Sequence, residues 1–274
     1  FVNRIWQMHF GRGLVETAED FGSQGSIPTH PELLDYLAVT FRESDWDVKA
    51  LHKAIVMSAT YRQQSEVSGE ALKKDPRNLL LARFPRLRMP AEMVRDHALA
   101  ASGLLVRRVG GASTFPYQPK NMWDGFNVYK YPEPEQVPAD SHHRRSLYSL
   151  IKRNALHPGM ASFDMPERWS TLARRNTSNT PLQALVLLDD PQFVEAYRAL
   201  AAHVLKAETT KDAQLTTIFR LATRRRPGAE ELSTLRAYYD SQLARFAADH
   251  DAAEKLLAVG VTRPDASVDK MQLA

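Results

Sequence analysis

The chain has 274 residues, of which 43% are hydrophobic, and a formal net charge of +4. This composition favours a folded protein with one large core or two modest ones and argues against a disordered chain. Because cysteine is absent, these residues can form no disulfide, thiolate metal site, catalytic thiol or CxxCH haem attachment.

The two ends of the chain indicate a piece of a longer polypeptide. The first residue is Phe1 rather than methionine, and a polar stretch, TRPDASVDKMQ, precedes the last residues. We therefore expect a fragment, in which a signal peptide would not be observable. No apolar run approaches the roughly 18 residues that a membrane-spanning helix needs.

Helical periodicity predicts the first elements. In THPELLDYLAVTF, Thr29 and Glu32 have the spacing of a capping box, ahead of a helix that places Leu33, Leu37 and Phe41 on one face. In the next segment, WDVKALHKAIVMSATYR, Asp47 is a natural N-cap for a second helix.

A further helix is predicted to begin at Pro90 and to end at Gly103. The apolar spacing divides this helix into an inward and an outward face. The predicted inward face holds Val94, Ala98 and Ala101, and the outward face holds Glu92, Arg95 and Asp96.

Residues 104–143 interrupt the helical pattern with glycines and prolines. Long loops without secondary structure are usually functional or linkers, and disordered linkers normally lack aromatic residues. We therefore expect a loop-rich, ordered aromatic insertion that packs on the helices. Its aromatic residues are Phe115, Tyr117, Trp123, Phe126, Tyr129 and Tyr131.

The stretch RRNTSNTPLQALVLLDDPQF predicts two helices joined end to end. Thr180 and Gln183 flank Pro181 with the spacing of a capping box, which predicts a short buried helix. Asp190 then precedes a second proline, so the pair Asp189 and Asp190 is interpreted as a helix-to-helix joint rather than a metal site.

Three amphipathic helices follow, over residues 193–204, 215–222 and 232–246. The chain is therefore predicted to be mainly α, as one multi-helix domain over residues 1–274 with long ordered loops and little or no β-sheet.

Known motifs exclude several classes of function. DFGSQGSIPTHPE lacks the acidic residues of a calcium loop, and no P-loop, HExxH or GxSxG motif occurs. The adjacent His142 and His143 point apart on a regular element, so no metal site is predicted. Basic and acidic residues alternate and no nucleic-acid motif is present, which argues against a nucleic-acid partner.

Arginine is the abundant basic residue, with 25 arginines against 11 lysines. Residues 144–175 hold seven basic side chains and two acidic ones. The arginine fork suits carboxylate, phosphate or sulfate groups. The alternative is that these arginines lie on solvated faces or in a structural network with Asp and Glu.

Several sequence blocks, in this order, carry a family resemblance: FVNRIWQMHFGRGLVETAEDFGSQGSIPTHPELLDYLA, SATYRQ, RFPRLRMPAEMVRDHALAASGLL, RRSLYSLIKR and FDMPERWSTLARRNTSNTPLQALVLLDDPQFVEA. Over residues 1–246 the chain resembles the planctomycete cytochrome C-associated domain of unknown function. Trp169 and Thr171 depart from the acidic residue and the cysteine expected there, and Asp189 stands where asparagine is usual.

The resemblance implies a C-terminal module of a large exported protein that works in the periplasm or cell envelope. Its expected partners are the upstream domains of the same polypeptide, including a cytochrome c module. Haem c would belong to that upstream module, and no cofactor is expected within these residues.

Three functional hypotheses follow from the residues and the resemblance together. The first is a scaffold or a binding module for an anionic or carbohydrate ligand, such as an anionic glycan. The second is an envelope polysaccharide-acting enzyme that uses paired carboxylates, and the third is a docking surface for the upstream haem domain. The candidate ligand-binding residues are Arg88, Arg95, Arg144, Arg145, Tyr148, Arg174, Arg175 and Thr177, and the candidate catalytic residues are Asp20, His30, Glu92, Asp96 and Asp164.

Overall fold

The computed structural model describes residues 1–119, 122 and 131–274. Their packing defines two compact units. The N-terminal unit comprises Phe1–Arg88 and Thr171–Arg175, and the C-terminal unit comprises Met89–Ser170 and Asn176–Ala274. The single domain expected from the sequence stays a prediction, and each unit is described separately.

The mainly α fold is confirmed. The described ranges contain twelve α-helices, three short 3-10 helices and no β-sheet. Two isolated bridges pair Val106 with Arg144 and Thr114 with Ser149.

The N-terminal unit contains α1 (Val2–Phe10), α2 (Pro31–Glu43), α3 (Val48–Met57) and α4 (Gly69–Lys74). Its helices pack against one another through an apolar core. The buried core residues are Val2, Ile5, Trp6, Phe10, Leu14, Leu37, Phe41, Leu51 and Ile55.

The two predicted caps in this unit have different outcomes. Asp47 caps α3 as predicted, since its carboxylate accepts a hydrogen bond from Ala50 N at 3.0 Å. The capping box at Thr29 is wrong, because α2 begins at Pro31 with His30 as its N-cap. The Thr29 backbone N–H instead donates to Leu14 O at 2.9 Å and so anchors the preceding loop.

The C-terminal unit is built around its longest buried helix, α8 (Pro191–Ala207), which packs against five others. The remaining helices are α5 (Ala91–Ala101), α6 (Pro158–Ser162), α7 (Pro181–Asp189), α9 (Lys211–Thr223), α10 (Ala229–Ala248), α11 (His250–Leu257) and α12 (Lys270–Leu273). The 3-10 helices span Pro134–Gln136, Ala139–His143 and Ser146–Tyr148.

The predicted orientation of α5 is wrong at Arg95, the residue that organises the buried network of the C-terminal unit. Its buried residues are Ala91, Arg95 and Leu99, which are spaced four apart on one face. Arg95 was expected on the outward face. It lies on the inward face because buried polar groups in the C-terminal unit accept its hydrogen bonds. The spacing of apolar residues carries no information about these acceptors.

The helix α7 begins at Pro181 as predicted, but it is not the buried helix that was expected. Leu182, Leu185 and Leu188 are 62%, 51% and 68% exposed. Thr180 provides no side-chain cap, so the capping box is also wrong. Gln183 is buried instead, and its Nε2 donates to Ser162 O at 3.0 Å.

The helix-to-helix joint at Asp190 is confirmed. Its carboxylate accepts a hydrogen bond from Gln192 N at 2.9 Å at the start of α8, directly after α7 ends.

In the segment 104–143, Tyr117 is buried, and Thr114 exchanges backbone hydrogen bonds with Tyr148 and Leu150. Three of the predicted aromatic residues, Trp123, Phe126 and Tyr129, lie outside the described residues.

Candidate functional site

Arg95 of α5 is 4% exposed and joins three parts of the C-terminal unit. Its Nε donates to Gln192 Oε1 at 2.6 Å. Its terminal nitrogens donate to the carbonyl oxygens of Arg144 at 2.9 Å and His142 at 2.5 Å, and to Ser146 Oγ at 3.2 Å. Burial lowers the pKa of Arg95 to about 10, so the guanidinium keeps its charge at neutral pH. Its donors are occupied within the protein.

Arg144 is 1% exposed and closes the loop that precedes it. Its terminal nitrogens donate to the carbonyl oxygens of Gly110 at 2.5 Å, Ala112 at 3.1 Å and Arg108 at 3.2 Å. The guanidinium carbon lies 4.0 Å from the centroid of the Tyr148 ring, and the Tyr148 hydroxyl accepts a hydrogen bond from Gly110 N at 2.8 Å. This arginine and tyrosine together stabilise an irregular loop.

Glu195 of α8 is the buried acceptor at the centre of the unit, at 1% exposure. Its Oε2 accepts from Tyr117 Oη at 2.6 Å and lies 3.1 Å from His143 Nε2. Its Oε1 accepts from the Thr262 N–H at 2.6 Å, the Thr262 hydroxyl at 2.5 Å and Val261 N at 3.1 Å. Burial alone would raise the pKa of Glu195, but hydrogen bonds from His143, Thr262 and Tyr117 outweigh it and lower the pKa to about 2.

His157 is buried beside this network and lacks a partner on one nitrogen. Gln192 Nε2 lies 2.7 Å from His157 Nε2 and 2.8 Å from Tyr117 O, so the amide can donate to both. The Nδ1 atom of His157 is buried without a hydrogen-bond partner. Burial, and then the charge of Arg95, lower the pKa of His157 to about 4, which keeps the ring neutral at pH 7.

Arg198, one helical turn after Glu195 on α8, holds the segment that follows α11. Its terminal nitrogens donate to Val259 O at 2.7 Å, to Thr262 O at 2.6 Å and to the carbonyl of Leu257. Together Glu195 and Arg198 therefore fix residues 257–262 against α8.

This anchored segment forms one wall of a groove of about 320 Å³, and α8 contributes the other wall. Three cations line the groove, Arg198, Lys206 and Arg263, together with His203 and one carboxylate, Asp265. Lys206 forms an ion pair with Asp265. Arg263 and His203 are exposed, and neither makes a hydrogen bond or ion pair with any described residue. The groove therefore carries an excess of positive charge, part of it without an internal partner.

The C-terminal unit brings some predicted site residues together. Asp96 Oδ1 accepts from Ser146 N and Ser146 Oγ, both at 2.7 Å, and lies 3.8 Å from Arg95 Nη1. Asp164 instead accepts from Ser178 N and Ser178 Oγ, each at 2.8 Å. Glu92 is half-buried, and Arg145 and Thr177 are exposed. Arg95, Asp96, Arg144 and Tyr148 thus belong to one network.

The other predicted site residues belong to the N-terminal unit. Asp20 Oδ1 accepts from Gly22 N at 2.7 Å within its own exposed turn. His30 Nδ1 lies 3.0 Å from Thr29 Oγ1. Arg88 is half-buried, whereas Arg174 and Arg175 are exposed. The ligand-binding and catalytic roles of the predicted residues stay predictions.

Sequence analysis missed the residues that organise the groove, namely Glu195, Arg198, Thr262 and Arg263. A signal for two of them was present: Glu195 and Arg198 are three residues apart in α8, and both are buried on a helix with apolar residues on either side. Buried charges are normally paired, so charged residues within an apolar stripe indicate an internal network. Thr262 and Arg263 lie in an irregular segment that has no periodic signal.

Within the described ranges, no group of three or more histidine, aspartate or glutamate side chains could hold a metal ion. No helix in those same ranges is long and apolar enough to cross a membrane.

Comparison with known proteins places the chain in a family. A model described as PSD1, a protein of unknown function (DUF1553), matches residues 1–239. No curated protein and no solved structure matches the chain. Three residues of the groove, Thr262, Arg263 and Asp265, lie beyond the matched range. The match confirms the resemblance to a domain of unknown function and covers well over half of the chain, which therefore belongs to the PSD1 (DUF1553) family.

Proposed function

We propose that the C-terminal unit is a binding module whose groove beside α8 takes a small anionic ligand. The observation that carries this proposal is the lining of the groove: three cationic side chains face one carboxylate around a space of about 320 Å³. That volume is at the lower end of the range for small-molecule sites. A single sugar residue with a carboxylate or sulfate group is of suitable size and charge.

The groove is also pre-organised. Arg198 lines the groove, is 6% exposed, and is held by the carbonyl oxygens of residues 257–262 and by an ion pair with Glu195 at 3.9 Å, so its position is fixed. Arg263 is exposed and can move to a ligand, where a guanidinium can bind a carboxylate or sulfate with two parallel hydrogen bonds. A buried, fixed wall and an exposed arginine without a partner among the described residues suit an anion that enters from solvent.

The test is calorimetric titration of the protein with glucuronate, glucose 6-sulfate and glucose. We expect binding of the two anionic sugars, weakened by added salt, and no binding of glucose. Arg263→Gln should weaken binding about tenfold. The matched control is Arg107→Gln, since Arg107 is also exposed in the C-terminal unit but does not line the groove.

The predicted arginines provide a competing location for the same activity. If Arg145→Gln abolishes binding while Arg263→Gln leaves it unchanged, the ligand does not bind in the groove. If all three sugars bind equally, or none binds at low salt, the anion-binding function is wrong.

The contacts of the carboxylates support a binding role over a hydrolytic one. The Asp96 carboxylate accepts a hydrogen bond from Ser146 N beside the buried Arg95, and the Asp164 carboxylate accepts one from Ser178 N. A catalytic pair needs two carboxyl groups that face a substrate across an open cleft. The groove beside α8 contains one carboxylate, Asp265.

The exposed leucines of α7 favour a second candidate function, docking of the upstream haem domain. Leu182, Leu185 and Leu188 are more than half exposed and lie three residues apart along one side of a short helix. Contiguous exposed apolar residues are typical of interaction sites. The expected export to the periplasm or envelope, and the haem c of an upstream domain, belong to this proposal and rest on the family resemblance.

This candidate is tested in the full-length polypeptide. Leu182→Asp combined with Leu185→Asp should shift the reduction potential of the upstream haem, because the domain that covers it would be displaced. Leu147→Asp is the matched control, since Leu147 is 78% exposed in the same unit but is not on α7. An unchanged potential in the double variant would rule out docking through this face.

A further inference from the structure

The N-terminal unit contains a pair of histidines that face each other from two helices. His9 lies in the last turn of α1, and His52 lies in the middle of α3. The Nε2 atom of His9 is 2.8 Å from the Nδ1 atom of His52, and both rings are half-buried. Two nitrogen atoms that can each bind a proton or a metal ion are therefore held together where solvent reaches the rings.

The fold sets the separation of these two nitrogens. The helices α1 and α3 pack against each other, and the neighbours of the two histidines, Phe10 and Leu51, are both buried in the core of the unit. The Tyr61 ring contacts the His9 ring edge to face, with 5.6 Å between their centroids. Because imidazole side chains are short, rings on two packed helices have little freedom to move apart.

The outer nitrogens of the pair are available to carry protons. His9 Nδ1 and His52 Nε2 form no hydrogen bond with any described residue. Burial, and then the charge of His52, lower the pKa of His9, so the His9 ring is neutral at pH 7. A neutral imidazole carries one proton on either of its nitrogens. When the outer nitrogens carry the protons, both inner nitrogens present lone pairs to a cation, and this rearrangement releases no proton.

The separation of the inner nitrogens suits one type of metal geometry. With metal–nitrogen bonds of about 2.0–2.1 Å, two ligand nitrogens at a right angle are about 2.9 Å apart, whereas two nitrogens on a tetrahedral ion are about 3.3 Å apart. The observed 2.8 Å is closer to the right angle. Right angles between neighbouring ligands are typical of square-planar and tetragonal Cu²⁺ sites. The rings must turn until both lone pairs meet at the ion, which costs the one hydrogen bond between them.

The end of α1 also favours a cation at this position. The last carbonyl groups of a helix carry a partial negative charge, and its effect is confined to the last turn. His9 is the only basic residue in the last turn of α1. A metal ion on His9 would therefore lie close to this partial charge.

We propose that His9 and His52 bind one Cu²⁺ ion through His9 Nε2 and His52 Nδ1, with water in the remaining coordination positions. Among the divalent ions of the first transition row, Cu²⁺ binds imidazole nitrogen most tightly. Zn²⁺ normally takes three or four protein ligands in a tetrahedral arrangement. Within the described ranges, no third histidine, aspartate or glutamate completes such a set around the pair. The site therefore prefers Cu²⁺ to Zn²⁺.

The test is calorimetric titration of the chain with copper sulfate and, separately, with zinc sulfate at neutral pH. We expect saturable binding of Cu²⁺ at least about tenfold tighter than that of Zn²⁺. Electron paramagnetic resonance of the Cu²⁺ complex should show superhyperfine splitting from two imidazole nitrogens.

Two variants each remove one ligand. His9→Gln and His52→Gln should each weaken Cu²⁺ binding at least about tenfold and leave one coupled imidazole nitrogen. Glutamine can still form a hydrogen bond with the remaining histidine, so the contact between α1 and α3 is kept, and circular dichroism checks that both variants fold. The matched control is His250→Gln, since His250 is exposed in the C-terminal unit, and its affinity for Cu²⁺ should be unchanged.

Absence of saturable Cu²⁺ binding would overturn the proposal. Unchanged affinity in the folded His9→Gln and His52→Gln variants would mean an adventitious ion only, for example at the amino terminus, and overturns it equally. A loss in one variant alone would show a single imidazole ligand and not a shared site. None of these outcomes bears on the groove beside α8, whose test uses anionic sugars and Arg263.

Discussion

Arg95 lies between Ala91 and Leu99 on the inward face of α5, where an apolar side chain would be expected. Its guanidinium stabilises the fold because it reaches acceptors on two other segments, α8 and the turns at residues 142–146. An arginine can satisfy several carbonyl groups at once, since its five donors are arranged in a planar fork. One buried residue thereby replaces the regular hydrogen bonds that these loops lack.

Replacement of Arg95 by methionine should strongly destabilise the C-terminal unit. The apolar volume is nearly conserved, but the carbonyl groups of His142 and Arg144 and the amide oxygen of Gln192 lose their donor. Buried groups left without a partner cost about 1–3 kcal/mol each, so we expect a loss of at least about 3 kcal/mol. Chemical denaturation followed by circular dichroism measures the loss. Arg145→Met, at an exposed position, should change stability by less than about 0.5 kcal/mol.

At the scale of elements, the joint between α7 and α8 depends on one carboxylate. Asp190 caps α8 through Gln192 N, and burial raises the pKa of its carboxyl group. We expect Asp190→Ala to destabilise the unit by about 1–2 kcal/mol, through loss of the cap. Asp190→Asn keeps an oxygen acceptor and removes the buried charge, so thermal unfolding should show a smaller loss. An equal loss in both variants would show that the charge, and not the cap, is what matters.

The segment that walls the groove depends on a glycine. Gly260 has a φ of 98°, and a Cβ atom placed on it would lie 2.7 Å from Glu195 Cβ and Glu195 Cδ. Gly260→Ala therefore combines backbone strain with a steric clash against the residue that anchors Thr262. We expect a loss of about 2–4 kcal/mol and weaker binding of anionic sugars, measured by denaturation and calorimetry. Gly110→Ala, also at a positive φ of 78° but with open space around it, should show the strain without the clash.

The elements that sequence analysis located are those whose signal is local. The spacing of apolar residues located α8, α9 and α10, and the aspartate-proline pair located the joint at Asp190. The face that a helix buries depends on contacts with residues distant in sequence. The leucines of α7 form an apolar run, yet Gln183 is the buried residue because its amide meets the Ser162 carbonyl.

The buried network escaped prediction for a related reason. Glu195 contacts Tyr117, 78 residues away in sequence, and Thr262, 67 residues away. No short-range pattern encodes such pairs. The ligand-binding role predicted for Arg95 and Arg144 stays a prediction, and in the structure the terminal nitrogens of both side chains donate to backbone carbonyl groups. The residue type indicates which groups a side chain can bind, but the fold determines which of those groups lie within hydrogen-bond distance.

At the scale of the whole molecule, stability should decrease with acidification in two steps. Between pH 6.5 and about 4, His157 is protonated in the unfolded chain but neutral in the folded chain, because burial lowers its pKa from 6.5 to about 4. Between pH 4.5 and about 2, the same holds for Glu195, whose pKa falls from 4.5 to about 2. In both windows the unfolded chain binds more protons, so the free energy of unfolding falls as the pH decreases. The raised pKa of Asp190 acts in the opposite direction and partly offsets the loss.

The two steps can be assigned by substitution. His157→Gln retains an acceptor for Gln192 and cannot titrate, so the free energy of unfolding of this variant should fall less than that of the wild-type chain from pH 7 to 5. The remaining fall comes from groups such as His9, whose pKa is also lowered by burial. The wild-type chain should lose on the order of 3 kcal/mol by pH 4. Glu195→Gln should weaken the second step, to which other carboxyl groups with a lowered pKa, such as Glu231, also contribute. It should also lower stability at neutral pH, because one oxygen acceptor becomes a donor opposite Thr262 or Tyr117. Urea denaturation at half-unit pH intervals measures both. Two outcomes would contradict this assignment: a wild-type stability that does not change from pH 7 to 4, or a His157→Gln variant whose stability changes with pH as the wild-type stability does. Either would show that His157 takes up a proton in the folded chain and that its environment is more polar than its burial beside Arg95 implies.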